Sequence, residues 1–161
     1  MKRLVLLRLV PTMALSMFGG HCVAATCSVA AGTVNFGAYS PISGSVVNST
    51  ATVAVSCIDY CSCTFGSYTV ALNAGTYGTL GTRQMGTSTL RVNYNIYKDS
   101  AYTQIWGDST SSTFTNSGSY AFTCAFGCVT NFTAYGQIPA SQTTVQAGSY
   151  SSTVTVTVTY T

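Results

Sequence analysis

Charge is what this sequence has least of. Six basic and three acidic residues stand among 161, glutamate is absent, and the single histidine is His21. Much of that small set belongs to the first 25 residues, MKRLVLLRLVPTMALSMFGGHCVAA. Lys2, Arg3 and Arg8 lie ahead of or inside an apolar run, and small residues end at Ala25, which is the layout of a secretory signal peptide with cleavage expected there. The run is interrupted by Pro11 and Gly19-Gly20 and is too short for a membrane span, so no stable membrane insertion is expected once the leader is gone. A lipoprotein reading centred on Cys22 is disfavoured by His21, which stands where a small residue belongs.

The expected domains are therefore a signal peptide over 1–25 and a single exported domain over 26–161. After cleavage, Arg83, Arg91 and Lys98 balance Asp59, Asp99 and Asp108, leaving no net charge. Three scattered cations cannot neutralise a run of phosphates, which excludes nucleic acid as a partner. The missing histidine and glutamate exclude a Ser-His-Asp or Cys-His arrangement and leave little for proton transfer or metal chemistry. Asp99 and Asp108 form a conceivable carboxylate pair, but both follow turn-like sequence and are read as turn-stabilising. The domain is read as neither an enzyme nor a carrier of a cofactor.

Helical periodicity is also missing, and what replaces it is alternation. Ala51, Val53, Val55 and Cys57 share one face of a segment, as do Tyr68, Val70 and Leu72. In LRVNYNIY, Leu90, Val92, Tyr94 and Ile96 point inward while Arg91, Asn93, Asn95 and Tyr97 point out. A further strand is expected within 129–135, and 152–161 alternates without a break, with Val154, Val156, Val158 and Tyr160 against a row of threonines. The Gly, Ser and Asn clusters at 73–78 and 116–118 read as turns. An all-β chain of this length packs its sheets as a sandwich.

Seven cysteines become six when Cys22 leaves: Cys27, Cys57, Cys61, Cys63, Cys124 and Cys128. An even set in an exported chain reads as a disulfide framework, favoured over a thiolate metal site because export is oxidising and no histidine remains. Cys27 opens the domain and Cys57 closes a strand-like run, which suggests that they pair. The other four would then join the 61–63 loop to the 124–128 loop in an order left open. Trp106, before Gly107-Asp108, reads as a core aromatic leading into a turn; the alternative is a surface aromatic on which a sugar stacks.

Taken in order, Cys27, VNFGAY (34–39), VAVSC (53–57), RQM (83–85), LRVNYNIYKD (90–99), IWGD (105–108), YGQIPA (135–140) and GSY (148–150) before the Val-Thr alternation resemble the spore coat protein U domain. That family includes subunits of archaic chaperone-usher pili. The resemblance implies an incomplete immunoglobulin-like sandwich lacking its final strand, with a hydrophobic groove. The implied partners are a periplasmic pilus chaperone, an usher and neighbouring pilin subunits, whose donated strand fills the groove. By similarity, Val154, Val156, Val158 and Tyr160 line the groove edge, and the terminal residues are the chaperone's handle. Strand-donating members carry about ten residues, one strand's length, ahead of the first cysteine, whereas cleavage after Ala25 leaves Thr26 alone. The expectation is a tip or terminal subunit, with a role in adhesion or biofilm, that accepts a strand and donates none. A structural spore or cell coat protein and a secreted carbohydrate-binding module using Trp106 and nearby tyrosines are the alternatives.

Overall fold

The computed structural model describes residues 25–42, 44–58, 65–87, 89–121 and 127–161. Asp59, Cys61, Cys63 and Cys124 lie outside the described residues.

β-branched, alternating segments form strands because their branched side chains fit a pleated, half-buried surface. β1 (Thr26–Ala31) pairs antiparallel with β2 (Val47–Ile58), and β2 pairs with β8 (Cys128–Ile138) from Val47 opposite Ile138 to Cys57 opposite Cys128. β6 (Arg91–Tyr97), β5 (Arg83–Gly86) and β4 (Tyr77–Gly78) continue this sheet, in the order β1-β2-β8-β6-β5-β4. A second sheet holds β7 (Asn116–Tyr120), β3 (Gly66–Leu72) and β9 (Val156–Tyr160), in the order β7-β3-β9. Val55 and Val70, one from each sheet, are 1 % and 0 % exposed and belong to one shared core. Each contributes about 1.5–3 kcal/mol by leaving water.

The inward faces expected for β2, β3 and β6 are buried at Val53, Val55, Cys57, Tyr68, Val70, Leu72, Val92, Tyr94 and Ile96. Cys27 and Cys57 stand directly opposite one another, with Cα atoms 4.1 Å apart, and form a disulfide. That spacing belongs to a non-hydrogen-bonded antiparallel pair, where side chains come closest. Cys128 is also disulfide-bonded, which removes it from any thiolate metal site.

Three expectations need correction. Asn116-Ser-Gly118 is not a turn but the start of β7, since the bare Gly118 lets the Tyr68 ring pass across it. The last strand does not run through 152–161, because β9 spans Val156–Tyr160 and the residues before it are held by a loop. Asn95 does not point to solvent: it is 5 % exposed and accepts a hydrogen bond from Arg83 Nη1 at 2.6 Å. Trp106 is the core aromatic expected, and its surface alternative falls. It is 0 % exposed, its Nε1 donates to Val70 O at 2.8 Å, and its ring meets Phe132 edge-on.

Candidate functional site

The two sheets leave one side open. β1 and β9 each end their sheet's strand order, so each presents one edge with no ladder partner among the described residues. Beside these edges, between residues 31–42 and 145–156, runs a cleft of about 1150 Å³. Its floor is core: Val53, Leu72, Met85, Val92, Ile96 and Ile138. Val34, Phe36 and Tyr39 form one wall, with Tyr150, Val154 and Val156 on the other.

Among the described residues, no charged side chain lines the cleft. The volume exceeds the roughly 300–1,000 Å³ of most small-molecule pockets. Tyr94, whose ring packs edge-on to Phe36, has its phenol pKa pushed up by burial, against the opposing pull of a hydrogen bond with Ser152 and the Arg83 charge. A neutral phenol in an apolar cleft supports binding and supplies no acid or base at ordinary pH.

Strand alternation decides which backbone groups face the opening. Asn73 N donates to Thr155 O at 3.1 Å and Thr161 N to Ser67 O at 3.1 Å, so the odd-numbered residues of this segment bond across to β3. The amides and carbonyls of Val154, Val156, Val158 and Tyr160 therefore turn to the open side. On β1, Gly32 N bonds to Thr52 O, which leaves the backbone of Cys27, Val29 and Ala31 turned outward by the same rule. Unpaired backbone beside a cleft lined by apolar side chains suits an extended peptide segment.

Of the four residues assigned to the groove edge, Val154 and Val156 line the cleft. Val158 packs further along against the core, and Tyr160 is 39 % exposed at the end of β9. Sequence reading missed the opposite wall, although Val34 and Phe36 alternate with polar neighbours. It also missed Arg83, which is 0 % exposed. Nε and Nη2 of Arg83 donate to Asn73 O at 2.9 and 2.8 Å, Nη2 donates also to Trp106 O at 2.8 Å, and Nη1 donates to Asn95 Oδ1. Burial lowers its pKa to about 10, with Tyr94 and Asp108 pulling upward, so the guanidinium stays charged at neutral pH.

Asp99 and Asp108 do not converge on one site. Asp99 accepts hydrogen bonds from Thr103 N, Thr103 Oγ1 and Gln104 N, and Asp108 from Thr110 N and Oγ1, each organising its own loop.

Fold and cleft together define an immunoglobulin-like sandwich with one strand position unfilled. The chain belongs to the Spore Coat Protein U domain family, whose model matches residues 12–157. No curated protein matches it. Fourteen chains of solved structures do. One is a chain in the CsuC-CsuE chaperone-tip adhesion subunit pre-assembly complex from archaic chaperone-usher Csu pili of Acinetobacter baumannii. The TM-score is 0.55 at 24 % identity, over 84 % of this chain and 40 % of that one. At this identity the likeness is one of fold, and the chain spans well under half the length of its structural neighbour.

Proposed function

We propose that this protein is exported after cleavage at Ala25 and serves as a structural subunit of a surface pilus or fimbria. Its groove takes an extended segment first from a periplasmic chaperone and then, at an usher, from a neighbouring subunit. The observation that carries this reading is a cleft that is uncharged, beside edges of β1 and β9 that are unpaired, among the described residues. An occupant strand covers apolar side chains and satisfies open backbone groups at once. The structural neighbour's description as a chaperone complex of a tip adhesion subunit supports the partner assignment. It also favours a tip position, with attachment and biofilm as the downstream role.

A coat-protein role is the second reading, favoured by the family's description. The sugar-stacking reading loses its tryptophan, because Trp106 is buried. Melting the exported protein with and without a synthetic peptide of alternating large apolar residues separates the pilus and coat readings. Strand acceptance predicts a rise of about 10 °C at roughly a hundredfold excess over Kd, and Val156→Asp should abolish it. A stable homopolymer whose melting ignores the peptide would favour the coat reading.

A further inference from the structure

The buried arginine acts on the groove through Asn73. In an antiparallel ladder a hydrogen-bonded pair exchanges two bonds, N–H to O in each direction. Asn73 and Thr155 make one of these, Asn73 N to Thr155 O at 3.1 Å. The reciprocal bond is missing because Asn73 O is held by two N–H groups of Arg83. Thr155 N donates instead to the Asn73 side chain, at Oδ1, at 2.8 Å. The same Oδ1 accepts from Gly75 N at 3.0 Å, which turns the chain away from β3. The loop thus formed then holds the preceding residues, with Thr76 N donating to Ser152 Oγ at 3.2 Å and Thr153 N to Thr76 Oγ1 at 2.9 Å.

We infer that Asn73, fixed by Arg83, is a positioning residue for strand capture, its side-chain amide replacing the last ladder acceptor and carrying the groove edge past the start of β9. The inference rests on the strand-accepting reading above. Thr155 is flanked by Val154 and Val156, both in the cleft wall, so the paired backbone of Thr155 sets how these two valines meet an incoming strand. Lysine at position 83 could not replace the arginine, because one ammonium cannot bond Asn73 O, Asn95 Oδ1 and Trp106 O in the same fork geometry.

Arg83 variants risk misfolding, so the test removes only the substitute acceptor. Asn73→Ala keeps the carbonyl that Arg83 grips and deletes Oδ1. Asn73→Asp keeps an acceptor for Thr155 N. Ser117→Ala, exposed on β7, is the control. Each full-length exported variant is measured for Kd toward a synthetic peptide of about ten alternating valines and threonines, one strand's length, and for amide hydrogen exchange at Thr155. Asn73→Ala should weaken Kd about tenfold and speed exchange at Thr155, while Asn73→Asp recovers most of both. Unchanged affinity and exchange in Asn73→Ala would overturn the inference. If the wild type fails to bind the peptide, the strand-accepting reading falls and the role in strand capture falls with it. The exchange measurement then still decides whether Asn73 holds the edge.

Discussion

The Tyr68 ring crosses directly over Gly118, its register partner on β7, at a position where a Cβ would stand 2.3 Å from the phenol oxygen. Two residues along, the roles reverse: the Tyr120 ring lies over Gly66. Glycine in a strand interior weakens it, and an aromatic laid across it from the next strand restores cover. Gly118→Ala should therefore lower stability by about 1–3 kcal/mol in urea unfolding, because Tyr68 is 3 % exposed and has nowhere to retreat.

Tyr68→Phe should go the other way. The Tyr68 hydroxyl is buried without a hydrogen-bond partner among the described residues. Deleting an unpaired buried hydroxyl removes a desolvation cost and no bond, so stability should hold or rise by up to about 1 kcal/mol. A loss of more than that on denaturant unfolding would mean that the hydroxyl has a partner.

The disulfide between Cys27 and Cys57 closes a loop with a sequence separation of 30. Chain-entropy arithmetic for that length gives about 3.5 kcal/mol of stabilisation. The double variant Cys27→Ser, Cys57→Ser should lose an amount of that order. The measurement is the change in urea midpoint at constant m-value.

Trp106 is the only tryptophan in the chain, so its fluorescence reports one site. Emission should be blue-shifted and poorly quenched by iodide, and added glycans should not change it, because the ring is fully buried. Trp106→Phe removes the donor to Val70 O along with buried ring area and should cost about 2–4 kcal/mol.

Acid tolerance follows from the scarcity of carboxylates. Desolvation raises the Asp99 pKa, but hydrogen bonds from Thr103 and Gln104 together outweigh it and set it below the ordinary 3.8. Asp108 is lowered mainly by its hydrogen bonds from Thr110. Because the folded state holds both protons less tightly than the unfolded chain, these groups stabilise the fold above the ordinary carboxylate range. That contribution is lost as pH falls through the lowered folded pKa values. Melting temperature should stay flat from about pH 7 to about pH 4 and fall only below that, and Asp99→Asn should blunt the fall.

Local patterns are legible where one residue type and one period suffice. The inward valines of β2, β3 and β6 announce themselves by alternation, and Asp99 and Asp108 read as turn formers because a short carboxylate bonds nearby amides. Asn116-Ser-Gly118 has the composition of a turn, and only its pairing with β3, a strand some fifty residues earlier, makes it a strand. The opposite wall of the cleft was missed because 33–42 has no ladder of its own and acquires its place by packing.

By itself, the sequence determined that residues 51–57, 68–72 and 90–97 alternate as strands, that Cys27 and Cys57 are placed to pair, and that acid-base chemistry has almost nothing to work with. These are consequences of side-chain type and a period of two, which act over a few residues. Tertiary structure alone decided which strands end their sheets and where the core lies open. It also decided that the charged Arg83 belongs inside, gripping Asn73. Edges, grooves and buried partners depend on pairing between distant segments, and the free energy of that pairing is written in no single stretch of the chain.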